Sequence, residues 1–379
     1  MAVGRTPAPR LPGGFFNPAI ADLVPYEPGK PVEEVQRELG LERIVKLASN
    51  ESPFGPFPAA LEALERGLRE LNRYPDGGGY RLRAALAERH GVSFDEVAIG
   101  GGSDGIVDCL SQIALTPGDE IVMGWPSFPS YAIYATKAGA SVRRIPLRDH
   151  RYDVAALAAA VGPRTKLVYV PNPNNPTGTM TTRAELDAFL GQLPDHALAV
   201  LDEAYFEYVE EPEYPDGIED FFKSGRRVVV LRTFSKIYGL AALRVGYGVA
   251  PAEVVHELAK VRRAFDVAQP AQEAALASLA DPAELERRRR VNTQVRAELE
   301  RALQDAGFET AAPAVANFVF AVVGEDARPL FEQLLRAGAI VRPLAGFGAP
   351  GAIRVSVGTA GENMAFAEAL QQVVAAASK

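Results

Sequence analysis

From about residue 45 to residue 250 the chain alternates short β-branched runs with amphipathic helical stretches. The strand-like runs are Val97–Ile99, Ile121–Met123, Leu167–Val170, Leu198–Leu201, Val228–Leu231 and Val245–Val249. Several are apolar at every position, so both of their faces must be covered. Strands that recur with a helix between them pair in parallel through crossovers. The alternation therefore predicts an α/β domain with a mostly parallel sheet flanked by helices.

Beyond residue 250 the texture changes. A charged helical stretch covers Ala283–Gly307, strand-like runs follow at Asn317–Val323 and Ile353–Val357, and helical patterns lie at Ala327–Ala337 and Asn363–Ala377. This predicts a second, smaller α+β domain. A chain of 379 residues has room for two or three domains of about 100–200 residues. The expected division is an N-terminal arm that also contributes to the small domain (1–48), a large ligand-binding domain (49–265) and a small C-terminal domain (266–379). Pro and Gly are frequent in residues 1–30, as in a mobile arm, and Pro31–Gly40 reads as a short helix. Glu284 and Glu286 stand four residues ahead of Arg288 and Arg290, a spacing that pairs charges along a helix. A solvated helix face is expected there.

Several function classes are disfavoured. A net charge of −8 argues against a nucleic-acid-binding surface. Cys109 is the only cysteine, so an internal disulfide is excluded and a reducing cytoplasm fits. It falls in an apolar helical pattern with Ile106, Leu110 and Ile113, as core filler rather than as a nucleophile. His90, His150, His196 and His256 have no Cys or His partner at ligand spacing, so no metal site is expected. No apolar run reaches transmembrane length, and prolines with Asp22 break up the stretch a signal peptide would need.

Ligands of an open parallel sheet bind outside the carboxyl ends of its strands. The candidate residues lie at such ends. Thr233 and Ser235 put two hydroxyls beside Lys236, and Arg244 follows eight positions later. A lysine that forms a Schiff base with a phosphate-bearing aldehyde needs that setting: the amine makes the link, and the hydroxyls and guanidinium hold the phosphate. Ile99-Gly-Gly-Gly-Ser-Asp-Gly-Ile106 passes from a strand through a glycine turn into a helix. The free N–H groups of a helix start favour an anion by about 0.3–1 kcal/mol, and Ser103 could cap the helix and ligate the anion. Gly100, Gly102 and Gly105 also fit G-x-G-x-x-G, but the next strand ends Met123-Gly-Trp-Pro126 without the acidic residue a dinucleotide ribose requires. That argues against a nicotinamide enzyme.

The remaining segments each have a structural and a functional reading. Tyr131, in Pro126-Ser-Phe-Pro-Ser-Tyr131, could stack on a planar ring or serve packing alone. Pro171–Gly178 fixes a loop from which Asn175 could donate to a ring oxygen. Asp202 follows an apolar strand, so its carboxylate needs a partner, either a structural cation or a protonated pyridine nitrogen. An adjacent carboxylate would raise the pyridine pKa by about 1–3 units. Tyr205 could bond a ring hydroxyl. A desolvated Lys236 loses basicity and could shuttle protons near neutral pH. Arg354, inside an apolar strand of the second domain, needs a carboxylate, a phosphate or an internal salt bridge, and Arg342 is a second candidate.

Taken in order, these segments resemble the pyridoxal-phosphate-dependent aminotransferases of fold type I, and within them histidinol-phosphate aminotransferase and its aromatic-aminotransferase relatives. The resemblance runs from Pro25-Tyr26-Glu-Pro-Gly29 through Ala48-Ser-Asn-Glu51 and Arg73-Tyr-Pro-Asp76 to Arg354-Val-Ser-Val-Gly358. It implies that Lys236 holds pyridoxal 5′-phosphate, Asp202 pairs with its ring nitrogen, Asn175 and Tyr205 contact its ring hydroxyl and Tyr131 stacks on the ring. Ser103, Asp104, Thr233, Ser235 and Arg244 would surround the phosphate, the first two partly through backbone N–H groups. Tyr74 would reach the phosphate of a neighbouring subunit, which implies a homodimer. Arg354 would bind the substrate carboxylate, with Tyr26, Asn50 and Arg342 lining the substrate pocket.

The resemblance further implies transamination between an amino donor and a 2-oxo acid, histidinol phosphate with 2-oxoglutarate as the first expectation. Aromatic amino acids are the alternative, with Phe15, Phe16, Phe54 and Phe347 as available apolar walls, and a related decarboxylase is a further one. Ser52, Gly101, Gly105 and Phe347 depart from the family's usual Asn, Asn, Glu and Tyr, which weakens the claim to one substrate but leaves the chemical core intact.

Overall fold

The computed structural model describes residues 14–21, 23 and 30–377. Tyr26, expected in the substrate pocket, lies outside them. The first part of the chain gives α1 Val32–Leu39, β1 Val45–Lys46, α2 Pro58–Gly67, α3 Tyr80–His90, β2 Val97–Gly100, α4 Gly102–Ala114, β3 Glu120–Trp125, α5 Ser130–Lys137 and β4 Ser141–Pro146. There follow α6 Val154–Ala160, β5 Thr165–Pro171, α7 Arg183–Leu190, β6 Leu198–Asp202, β7 Val228–Thr233, β8 Gly246–Val249, α8 Ala252–Val261 and α9 Gln269–Leu279. The last part gives α10 Pro282–Asp305, β9 Glu309–Thr310, β10 Phe318–Val322, α11 Arg328–Arg336, β11 Ala339–Ile340, β12 Arg342–Leu344, β13 Ala349–Ser356 and α12 Ala360–Ala377.

Seven strands form one sheet in the order β2-β8-β7-β6-β5-β3-β4. The run from β7 to β4 is parallel throughout, and β8 is antiparallel to both of its neighbours. The expected α/β architecture is therefore observed. The pleat sends Val168, Val170, Leu201 and Val230 into one core and Leu167, Tyr169, Val200 and Leu231 into another on the opposite face. This is why the central strands read as continuous apolar runs. β4 escaped the sequence reading because it is the sheet edge: its Ser141-Val-Arg-Arg-Ile-Pro146 is largely exposed and polar, as edges that resist further pairing are.

The second layer system is built on an antiparallel sheet, β12-β13-β10-β9, and the parallel pair β1-β11. Val45 and Leu47 join Val295, Leu299, Val319, Val355 and Phe366 in its core, so the N-terminal segment supplies part of it. We place the start of this small domain at α10 rather than at residue 266. The reason is packing: Ala271, Ala274 and Ala275 of α9 are buried in the large-domain core beside Ala60 of α2 and Phe57 just ahead of it. Among the described residues no helix is long and apolar enough to cross a membrane, and no group of His, Cys, Asp and Glu could hold a metal ion.

Candidate active site

The carboxyl ends of the parallel strands open onto a cavity of about 170 Å³. Ser103, Asp104, Tyr131, Asn175, Asp202, Tyr205, Thr233, Ser235, Lys236, Arg244, Asn50 and Arg354 all line it, with Phe128 and Phe347. A roomier cavity of about 440 Å³ lies behind the glycine turn. In its wall Arg83 is bonded to the Val97 and Phe94 carbonyls, and Asp266 to the Gly101 N–H.

One end of the smaller cavity is built for an anion. α4 begins at Gly102, so the N–H groups of Gly102, Ser103 and Asp104 belong to the first helical turn, where no carbonyl of the same helix can take them. Gly102 has φ +77°, and a Cβ there would stand 2.7 Å from the Arg244 guanidinium. Only glycine lets the cation and the helix start converge. Arg244 donates to the Ser235 hydroxyl at 3.3 Å, and the Ser235 N–H donates to the Thr233 hydroxyl at 3.1 Å. The Asp104 Oδ2 accepts from the Tyr134 hydroxyl at 2.6 Å, while its buried Oδ1 has no hydrogen-bond partner.

Asp202 is the last residue of β6 and 7% exposed. Burial pushes its carboxyl up to about 6, against the hydrogen bonds from the Tyr131 hydroxyl (2.7 Å) and the Ala204 N–H (3.1 Å). The next residue, Glu203, anchors the strand end. Its Oε2 accepts two bonds from Arg232 at 2.9 and 2.7 Å, and its Oε1 accepts from the Gly217 N–H. Arg232 also reaches Asp216 at 2.8 Å and lies 3.4 Å from the Phe206 ring centroid. Removing one partner of such a buried pair costs about 3–5 kcal/mol.

Lys236 follows β7 with its amine 5.4 Å from the centre of the Tyr205 ring. Burial, then Arg354 and Arg244, pull that amine down to about 8. On the far side Arg354 donates to the Asn175 side-chain oxygen and to the Ala48 carbonyl (2.8 Å). Asn175 thereby keeps its amide NH₂ as a donor. Asn50 donates to the Tyr205 hydroxyl at 3.0 Å and is itself held by Ser356. Arg342 on β12 stands opposite Arg354 on β13, and both guanidinium groups lie near the Phe347 ring, at 5.6 and 5.4 Å.

Known proteins resemble this chain in sequence and in fold. The family profile described as aminotransferase class I and II matches residues 42–370. The chain belongs to this family. Histidinol-phosphate aminotransferase of Moorella thermoacetica is 46% identical over 94% of this chain and 92% of its own length. The crystal structure of histidinol-phosphate aminotransferase from Sinorhizobium meliloti in complex with pyridoxal-5′-phosphate matches at 31% identity and TM-score 0.87, covering 96% of this chain and 98% of its own. A mutant aspartate aminotransferase of Thermus thermophilus matches at 26% identity and TM-score 0.83, over 95% and 99% of the two chains. The fold is thus shared across substrates, which have to be read from the site.

In this aminotransferase two expectations change, and the aromatic segment after β3 is resolved in detail. Tyr131 is 1% exposed, lies 4.4 Å from Tyr169 in a stacked pair and spends its hydroxyl on Asp202. Phe128, only partly buried, lines the cavity beside it. Phe54 is not a cavity wall, since it lies near Arg287 and Arg288, and Phe15 and Phe16 are exposed. Nor is Arg287–Arg290 a uniformly solvated face: Arg288 is 2% exposed. Tyr74 is 82% exposed and stacked on Phe265 at 4.5 Å, outside the cavity of its own chain. Glu203 and Arg232 were missed, although an arginine inside the apolar run Val228–Thr233 carries the same signal that singled out Arg354.

Proposed function

We propose that this chain transfers the amino group of histidinol phosphate to 2-oxoglutarate, with pyridoxal phosphate as cofactor. The 46% identity to the Moorella protein of that name carries the choice of donor, and the site agrees with it. The donor set fits the cofactor: a helix start, two hydroxyls and Arg244 for a phosphate, a buried carboxylate for a basic ring nitrogen, and an amine that is partly neutral near pH 8. When bound, pyridoxal phosphate supplies an aldehyde that condenses with amines and a ring that accepts electrons.

The protein's own groups do the rest. Lys236 would hold the cofactor through its amine, and that amine, once free, would take the substrate Cα proton and hand a proton back. Asp202 would keep a proton on the ring nitrogen, and Asn175 and Tyr205 would hold the ring hydroxyl. Phe128 and Tyr131, which line the cavity, would be the aromatic rings beside it. Arg354 binds the anionic group of either substrate, and Arg342 answers the second charge of a phosphate. An amide and an arginine that share one hydrogen bond, Asn175 and Arg354, link the cofactor end of the cavity to the substrate end.

We further propose a cytoplasmic homodimer in which Tyr74 enters the neighbouring site. Its exposed ring, stacked on the exposed Phe265, supports this.

Arg354→Lys should raise KM for both substrates by about 10- to 100-fold, because charged hydrogen bonds are worth about 1.5–3 kcal/mol and a lysine loses the planar fork. Arg342→Ala should raise KM for histidinol phosphate more than KM for 2-oxoglutarate. Steady-state kinetics check both, and equal effects of Arg342→Ala on the two substrates would remove its proposed role. The donor itself is tested by giving histidinol phosphate, phenylalanine, tyrosine and aspartate to the purified protein with 2-oxoglutarate as acceptor. kcat/KM should be highest for histidinol phosphate by at least about tenfold, a gap of 1.4 kcal/mol. Comparable values for the aromatic amino acids would overturn the assignment in favour of an aromatic aminotransferase.

A further inference from the structure

Arg288 lies in the second turn of α10, outside the cavity, yet its guanidinium is buried against the turn that carries Lys236. Nη1 donates to the carbonyls of Gly55 (2.6 Å) and Ile237 (3.0 Å) and to the Ser52 hydroxyl (3.3 Å). Nη2 donates to the Pro56 carbonyl at 3.2 Å, and Nε donates to Glu284 at 2.7 Å. The cation also lies 4.4 Å from the Phe57 ring centroid. Ile237 is the chain neighbour of Lys236, and the loop from Ser52 to Phe57 follows Asn50 in the cavity wall. The two loops touch backbone to backbone: Gly239 has φ +71°, and a Cβ there would stand 1.8 Å from the Gly55 carbonyl oxygen.

One cation therefore ties a small-domain helix to the lysine turn and to the loop that carries Asn50. Burying it is sustained by Glu284, which is held ionised by Arg287 (two bonds of 2.7 Å) as well as by Arg288. Such a spread of acceptors needs the planar fork of arginine, because an ammonium presents its donors from a single point.

We propose that Arg288 is a positioning residue for the reaction: it fixes the backbone on the carboxyl side of Lys236 and so sets the direction from which the amine meets the reacting carbon. The proposal rests on the reading of Lys236 as the cofactor lysine. A displacement of about 1 Å in a reacting group can cost about 10²-fold in rate, so the tie is expected to act on kcat far more than on KM.

The test compares the parent with Arg288→Met, which leaves Glu284 its bonds to Arg287, and with Arg290→Met, an exposed arginine of the same helix, as a control for lost helix charge. Borohydride reduction of the cofactor-loaded parent, followed by peptide mapping, first locates the cofactor lysine. In Arg288→Met, kcat should fall by about tenfold or more, with KM within a factor of about three. The pH at which the bound cofactor's absorbance titrates should move by about half a unit or more. In the cofactor-free protein, amide exchange across Phe234–Leu240 should rise about tenfold. Arg290→Met should match the parent in all three. If the parent carries no adduct on Lys236, the reading of the site falls, and this proposal with it. If the adduct is there and Arg288→Met matches the parent in titration, kcat and exchange, the proposal alone is overturned. Should Arg288→Met not fold, Arg288→Lys carries the same comparison: a displaced titration supports the tie, and parental behaviour overturns it.

Discussion

Replacing Lys236 with alanine is expected to lower kcat by at least about 10⁴-fold, since both the covalent anchor and a proton shuttle worth about 10²–10⁴ are removed. Lys236→Arg should be as inactive. It keeps the positive charge among Asp202, Arg244 and Arg354, but a guanidinium stays protonated and cannot take the Cα proton. The pair of variants separates the chemistry of the amine from its charge. Both should fold, because the sheet core around β7 is built from Val228, Val230 and Leu231 rather than from Lys236. Steady-state rates with melting curves check this, and either variant retaining activity within about tenfold of the parent (1.4 kcal/mol in the barrier) would end the proposed role.

Asp202→Asn should have effects of opposite sign on turnover and on stability. Turnover should fall by about 10- to 10³-fold, the equivalent of the 1–3 pKa units that an adjacent carboxylate lends to a ring nitrogen. The cofactor-free protein, in contrast, should gain stability at neutral pH. The Asp202 carboxyl rises from 3.8 to about 6 on folding, so the folded state binds more protons than the unfolded state between those values. Stability is lost as pH rises through that window. The cost is absent below about 4 and fully present above about 6, where two pKa units amount to about 3 kcal/mol. Asparagine removes this cost without orphaning a group, since the Tyr131 hydroxyl can accept from the new amide while the Ala204 N–H donates to its oxygen. Denaturant unfolding of both proteins at pH 7 and pH 4 should show a variant advantage that vanishes at the lower pH. Equal stabilities at pH 7 would show that the buried carboxylate is not strained by desolvation.

What was legible in the sequence follows from where each signal comes from. Val97, Ile121, Leu167, Leu198 and Val228 announce buried strands because both faces of the central sheet are covered, and the site residues followed because ligands of such sheets gather at strand ends. Edge strand β4 could not be read that way: Arg143 and Arg144 belong on an exposed edge and also in a loop. The side-chain direction of Arg288 was hidden because each position from Glu284 to Arg290 other than Leu285 is charged, so periodicity marks no buried face. Tyr131 and Phe128 both follow the end of β3 and both line the cavity, and periodicity does not tell that Tyr131 is the ring stacked on Tyr169. The attachment of α9 to the large domain is not legible from periodicity, because its alanines pack against α2 without a strong apolar stripe.

The central claim is that one amine, on Lys236, carries the cofactor. Protein saturated with pyridoxal phosphate, reduced with borohydride and digested, should yield a single modified peptide with the pyridoxyl group on Lys236. A modification on another lysine, or none, would contradict the account.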